Sequence, residues 1–175
     1  MTWLWLRSCG RNVESKLRIG IGYDVHPLTP QRRLVLGGVN IAFDRGLDGW
    51  SDADVLTHAI IDALLGAAAL GDIGSHFPAG EQQYKDISSL VLLKRAADEL
   101  KDKGWRIENV DATVLAEQPK LREFTDRMRQ QLSQTLGITA GQVSVKASTA
   151  NGLGFVGRGE GIAALAVAMI ESVSG

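Results

Sequence analysis

The sequence predicts an α+β fold: a single domain in which one mixed β-sheet is covered on one face by helices. Three observations lead there. Period-2 alternation and period-3.6 stripes follow one another as strand, strand, helix, helix, strand, helix, strand, strand, which is not the regular alternation of an all-parallel sheet. The 175 residues, 45% hydrophobic and 22% charged, have the length and composition of one globular domain with a real core. The last strand, residues 162–170, alternates small and apolar residues, so the uncovered sheet face is expected to meet other subunits.

Charge and cysteine content narrow the partners. Lysine and arginine number 19 against 20 aspartates and glutamates, a formal net charge of −1. Neither nucleic acid nor an anionic membrane is indicated. Cys9 is the single cysteine and cannot close an internal disulfide, which fits a reducing cytoplasm. No apolar run approaches the ~20 residues that span a bilayer. Residues 1–16 carry an apolar patch ahead of their arginines, the reverse of a signal peptide, and read as a loose extension; the domain is 17–175.

Taken in order, Leu17, Ile19, Ile21 and Tyr23 alternate with Arg18, Gly20 and Gly22 in a strand that runs into Asp24-Val25-His26-Pro27. Alternation sets Asp24 and His26 on one side, and Pro27 is expected to stop the pairing. Residues 33–43 read as strand with Gly37-Gly38 as a bend or hairpin tip, and 44–50 as a loop. A helix is predicted over 52–70, opened by a capping-box pattern of Ser51 and Asp54. Val55, Leu56, Ala59, Ile60, Ala63 and Leu64 form its buried stripe. Beside that stripe, Asp54, His58 and Asp62 stack four apart on one face. Asp24, His26 and His58 together offer one carboxylate oxygen and two imidazole nitrogens, with room for a fourth ligand, as catalytic zinc sites require. Spacing alone equally allows a solvated helix face with a structural histidine on it.

Beyond that helix, Gly71-Asp72-Ile73-Gly74 reads as a tight, functionally shaped loop, with an Asx-turn as the plain alternative for Asp72 and a surface histidine at His76. A second helix is predicted over 87–103, a strand over 107–115, and a third helix over 121–136 with Pro119 near its start. A further strand over 142–147 leads into residues 148–161, where glycines accompany Ser148, Thr149 and Arg158. Such a loop can approach a phosphate closely, or it can be a flexible hairpin connection.

Across 18–171 these motifs, in this order, resemble the 2-C-methyl-D-erythritol 2,4-cyclodiphosphate synthase family: Gly-Tyr-Asp24-Val-His26, Ser51-Asp-Ala-Asp-Val, His58-Ala, Asp62 through Gly74, Pro119-Lys120, and Leu-Gly-Phe155-Val-Gly-Arg158-Gly-Glu160-Gly. The resemblance implies a phosphorus–oxygen lyase of the non-mevalonate isoprenoid pathway. It cyclises 4-diphosphocytidyl-2-C-methyl-D-erythritol 2-phosphate and releases CMP. It implies that Asp24, His26 and His58 bind Zn²⁺ or another divalent metal, and that Mg²⁺ accompanies the substrate diphosphate. Asp72 and Gly74 are implied to hold the methylerythritol hydroxyls, and Ser51 to lie near the 2-phosphate. Residues 116–120, with Ala116, Pro119 and Lys120, are implied to grip cytosine through backbone groups. Ser148 and Thr149 are implied to contact the diphosphate, making Ser51 and Thr149 the catalytic candidates. The implied assembly is a homotrimer with its sheets facing the threefold axis, sites shared between subunits, and Phe155 and Arg158 lining an axial cavity able to take an isoprenoid diphosphate.

The chain departs from the family pattern at three places. Trp50 stands at a substrate-side position that is commonly histidine, and it brings one N–H but no positive charge. Residues 77–81 read Phe-Pro-Ala-Gly-Glu in place of an acidic Phe-Pro-Asp-x-Asp loop, and Asn151 replaces a magnesium-holding glutamate. Two further readings therefore stand beside the lyase: a metal-dependent phosphohydrolase, and a non-catalytic nucleotide or isoprenoid-diphosphate binder.

Overall fold

The structure, a computed structural model, describes residues 17–173; the extension expected over 1–16 lies outside the described residues. Five strands form the main sheet in the order β4 (Arg45–Leu47), β1 (Leu17–Pro30), β7 (Gly161–Ser172), β5 (Trp105–Leu115) and β6 (Val143–Ser148). β1 is antiparallel to β7, and β7 is antiparallel to β5. β5 runs parallel to the edge strand β6, so the sheet is mixed, as expected. β7 takes the centre because Ile162, Ala163, Ala164, Ala166, Ala168 and Ile170 can all be buried there.

Helix α1 (Val55–Ala67) lies across β1 and β7. Glycine sets how closely. A Cβ on Gly20 would stand 2.0 Å from the Ala63 carbonyl oxygen, and one on Gly22 1.9 Å from that of Ala59. Only a residue without a side chain lets helix backbone settle on strand backbone in this way. The helix is enclosed rather than amphipathic, with 11 of its 13 residues buried. Above it lie α3 (Ser89–Asp102), which also packs on α4 (Thr125–Leu136), and the hairpin of β2 (Leu34–Leu36) and β3 (Val39–Ile41). The opposite face of the sheet is bare and apolar. Ile19 is 70% and Ile21 72% exposed, beside exposed Tyr23, Val25, Leu165 and Val167. Contiguous apolar surface of that kind marks an interaction face.

Several local expectations are corrected. Pro27 does not stop β1: the strand passes from β7 to β4 (Arg45–Leu47), a strand within the stretch that reads as loop. The proline is tolerated because its carbonyl accepts from Asp48 N–H (3.0 Å) while Leu28 N–H donates to the Glu160 carbonyl (2.8 Å). Residues 33–43 form the separate β2–β3 hairpin, whose two tip glycines adopt φ of 55° and 73°, the left-handed pair a tight hairpin turn demands. The capping box is absent. Asp54 caps α1, accepting from Thr57 N–H (3.1 Å), and Ser51 Oγ accepts from Ala53 N–H (3.2 Å). Pro119 does not open α4, because a turn in which Phe124 N–H donates to the Leu121 carbonyl (2.9 Å) comes first. Single helical turns, α2 (Ile73–His76) and α5 (Gly154–Gly157), occupy the two glycine-bearing loops.

Candidate active site

The second half of β1 and the first turn of α1 bring Asp24, His26 and His58 together. Asp24 Oδ2 lies 2.9 Å from His58 Nδ1 and 3.0 Å from His26 Nε2, and the two imidazole nitrogens are 3.2 Å apart. The outer nitrogens are also engaged. His26 Nδ1–H donates to the Asp48 carbonyl at 2.6 Å, and His58 Nε2 lies 2.8 Å from Ser89 Oγ and 3.2 Å from Ser51 Oγ. With His26 protonated on Nδ1 and His58 on Nε2, three lone-pair atoms face one another. That arrangement calls for a cation between them, so the donor set fits a divalent metal that accepts nitrogen and oxygen.

The electrostatics agree. Burial alone would raise the Asp24 carboxyl, but hydrogen bonds and charge from His26 and His58 outweigh it and hold it well below the usual carboxylate range. Burial works against a charged His26 as well, yet the bond and charge of Asp24, helped by the Asp48 carbonyl, raise it above its ordinary value. The other members of the helix stripe are not ligands. Asp54 is wholly buried under the hairpin tip, accepting from Gly37 N–H (2.9 Å), Gly38 N–H (2.7 Å) and Thr57 Oγ1–H (2.7 Å). Burial, with the nearby Asp52, pushes its carboxyl up. Asp62 accepts from Ile73 N–H (2.7 Å) and so anchors the Gly71–Gly74 turn beside the triad.

A pocket of about 210 Å³ opens over the triad, lined also by Trp50, Ser51, Gly74, Phe77 and Tyr84. Trp50 donates its indole N–H to the Glu81 carbonyl (2.9 Å), which ties down the altered 77–81 loop. Asp72 stands at the N-terminus of α2, where Ser75 N–H (2.8 Å) and Ser75 Oγ–H (2.7 Å) donate to it and hold its carboxyl below the ordinary range. Asp72 is thus the N-cap of α2, its bonds reaching three residues on rather than the two of an Asx-turn, and it is not among the pocket's lining residues. His76 is structural, between the Leu70 carbonyl (2.8 Å) and Glu99 (3.1 Å).

A second pocket, about 140 Å³, gathers Ala116, Pro119, Lys120, Ser148 and Thr149 with Leu121 and Arg122. The structure thus brings together the residues expected to meet cytosine and the diphosphate, but leaves Ser51 and Thr149 in different pockets of the chain. Asn151 adopts a left-handed φ of 51°, and its Oδ1 accepts from Thr149 Oγ1–H at 3.4 Å. Glu117, unmarked by any sequence signal, receives Ala150 N–H (3.3 Å) and Gly152 N–H (3.4 Å) on either side of it. Phe155 is 38% exposed, and Arg158 is engaged by Glu160 through two contacts of 2.7 and 3.0 Å. Sequence reasoning also missed Asp48, Ser89 and Asp52. Asp48 acts through its carbonyl, which leaves no trace in side-chain chemistry. Ser89 and Asp52 sit where a sequence pattern suggests helix starts.

Comparison with known proteins gives one answer. Residues 17–171 match the YgbB family. A 2-C-methyl-D-erythritol 2,4-cyclodiphosphate synthase from Dehalococcoides mccartyi (strain CBDB1) is 60% identical over 155 residues, covering 89% of this chain and 99% of that protein. The bifunctional IspDF from Campylobacter jejuni aligns with a TM-score of 0.86 at 40% identity, over 89% of this chain and 42% of that one. A CDP complex of IspF from Plasmodium falciparum aligns at 0.79 and 32% identity, over 90% of this chain and 97% of that one.

Proposed function

The chain belongs to the YgbB family and is an enzyme that makes 2-C-methyl-D-erythritol 2,4-cyclodiphosphate; we propose that its two pockets divide the substrate between a metal end and a cytidine end. In the reaction, an oxygen of the 2-phosphate forms a bond to the β-phosphorus, the bond from that phosphorus to the bridging oxygen breaks, and CMP leaves with the electron pair. No covalent enzyme intermediate is needed, so the chain's task is positioning and charge stabilisation.

The observation that carries this reading is the convergence of Asp24, His26 and His58 within hydrogen-bond distance of one another. We read them as the holders of Zn²⁺ or a similar divalent ion, which when bound supplies Lewis acidity and fixed positive charge. Ser51 and Gly74 line the methylerythritol phosphate side, with Trp50 as its wall. Asp72, on the turn anchored by Asp62, meets the sugar hydroxyls. Ala116, Pro119 and Lys120 hold cytosine, and Ser148 and Thr149 donate hydroxyls to the diphosphate, which Mg²⁺ would accompany and whose charge it would offset. A CDP-bound relative of the same fold supports the cytidine assignment.

The bare apolar face of β1 and β7 supports a homotrimer in which sheets face the threefold axis and each complete site joins the two pockets of neighbouring copies. Exposed Phe155 and nearby Arg158 then border an axial cavity suited to an isoprenoid diphosphate. No helix among the described residues is long and apolar enough to cross a membrane, and the lone cysteine supports a cytoplasmic location. Incubating the purified protein with the cytidyl substrate and divalent metal tests the reading. CMP and cyclic diphosphate without free phosphate are expected. Linear products with inorganic phosphate would indicate a phosphohydrolase, and tight binding without turnover a non-catalytic binder.

A further inference from the structure

The two ligand histidines are oriented by different means. His26 leans on a backbone carbonyl, an acceptor that no substitution of its own residue removes. His58 leans on a hydroxyl, which can either accept or donate. What Ser89 Oγ does is decided one residue further out. Asp52 receives the Ser89 hydroxyl at 2.5 Å through Oδ1 and the Ser89 backbone N–H at 3.0 Å through Oδ2. A carboxylate only accepts, so the Ser89 hydrogen is committed to Asp52, and Ser89 Oγ is left to accept from His58 Nε2–H. The imidazole proton is thereby drawn to Nε2, against the pull of the Asp24 carboxylate 2.9 Å from Nδ1, and with a cation between them the Nδ1 lone pair is free to ligate. Ser89 is wholly buried, so water does not compete for the hydroxyl.

We infer that Ser89 and Asp52 are positioning residues: a serine–carboxylate relay that holds His58 in the one tautomer able to ligate a metal. The inference rests on the metal-holding reading of the triad and adds to it the residues that make His58 a ligand rather than a donor. The relay also ties two segments to the site. Asp52 belongs to the turn before α1 and Ser89 opens α3, so ordering of α3 and tautomer of His58 are linked. Ser51, whose Oγ lies 3.2 Å from the same Nε2, differs from Ser89 in having no carboxylate to fix its polarity among the described residues.

The test uses the full chain with ¹⁵N-labelled histidine, whose three imidazoles are few enough to assign. In metal-free protein at about pH 9, where unperturbed imidazoles are neutral, long-range ¹H–¹⁵N spectra report which nitrogen carries each proton. Wild type should show His58 keeping a proton on Nε2 in spite of the Asp24 carboxylate beside Nδ1. Ser89→Ala should lose that preference and show averaged nitrogen shifts. Zinc affinity, measured by competition with a chromophoric chelator, should fall about 10- to 100-fold, the usual effect of losing an outer-shell partner. Asp52→Asn serves if Ser89→Ala does not fold. The amide brings a donor as well as an acceptor, so the polarity of the relay is no longer forced and a tautomer mixture should appear. His58 protonated on Nδ1 alone in wild type, or a variant that keeps both the Nε2–H tautomer and wild-type zinc affinity, overturns the inference. So does a lost tautomer with unchanged affinity, which would leave the triad reading intact. A wild type that binds no zinc sinks the triad reading itself, and the tautomer spectra then judge the relay alone.

Discussion

The His58 pocket and the Lys120 pocket open at the same end of one sheet and are built in opposite ways. His26 pairs with Ile162 on one side of the central strand, and Leu115 with Ala163 on the other, with Ser148 beside Leu115. Asp24 and Ser148 are thus three strands apart, roughly 14 Å at the usual spacing. On the first side, carboxylate and imidazoles are partly or wholly buried, and each is fixed by a partner from the same chain. On the second, Lys120 and Arg122 are exposed and, among the described residues, in no ion pair. A site whose charges are already organised can hold an ion unaided. A site made of exposed cations and backbone acquires its ligand geometry from what docks on it. That contrast is the strongest internal argument for completing each site with a neighbouring copy.

The contrast breaks most directly at His58. His58→Ala removes a ligand from the organised side only. Activity should fall on the order of 10³-fold or more with loss of charge stabilisation at the reacting phosphates, and bound zinc should disappear. Stoichiometric zinc in the dialysed variant, read by elemental analysis, would remove the basis of the comparison.

A pair of glycine substitutions sharpens it next. Gly22→Ala forces a methyl to 1.9 Å from the Ala59 carbonyl, beneath the metal side. Denaturant unfolding should register a loss of about 3 kcal/mol. Gly152→Ala, on the Thr149 loop, meets nothing within 4 Å and carries only its φ of 77°, so a loss of about 1 kcal/mol is expected. Equal losses would mean that the two sides are equally constrained.

Subunit mixing asks whether the sides come from different copies. After random exchange of His58→Ala with a Lys120→Ala protein, each individually weak, about a quarter of the interfaces of a ring pair two intact halves. Activity near that fraction of wild type is expected. No recovery, with exchange verified by mass spectrometry, would return both halves to one chain.

Titration of the metal-free protein probes the organised side alone. Asp24 is depressed, so its contribution is present above its ordinary value of about 3.9 and is lost as pH falls through the lower folded value. His26 is raised, so its contribution is complete below about 6.5 and is lost as pH rises through the raised folded value. Tm should therefore be highest between those limits and decline on the alkaline side, and His26→Gln should abolish the alkaline decline. A wild-type Tm that is flat across neutral pH contradicts the pairing.

The smallest effect is expected at Asn151. A neutral amide offers magnesium one oxygen without charge, so Asn151→Glu should lower the magnesium requirement by a few-fold while zinc content stays constant. An unchanged or higher requirement would mean that Glu117, bonded to the amides on either side, already supplies the anion there.

The sequence by itself determined a good deal. Alternation and helical stripes were enough to order the strands and helices along the chain, because burial imposes those periods locally. Asp-x-His in a strand and a lone helix histidine were legible as a candidate ligand set, because their chemistry is carried by residue type, but spacing alone left a structural histidine open and only the family resemblance singled the set out. Tertiary structure decided the rest. Whether Asp54, His58 or Asp62 faced Asp24 and His26 depended on where α1 starts, and that was decided by a hairpin tip whose N–H groups recruited Asp54 as cap. Pro27 could sit inside a strand only because Asp48 N–H takes its carbonyl on one side, while on the other the Glu160 carbonyl is met by Leu28 N–H and not by the proline. Gly20 and Gly22 read as ordinary alternation partners; only the helix resting on them shows that they set the distance from Asp24 to His58. The Asp48 carbonyl and the Ser89–Asp52 relay were invisible for the same physical reason. Orientation of a ligand is a property of what surrounds it, and the chain brings those surroundings from residues far away in sequence.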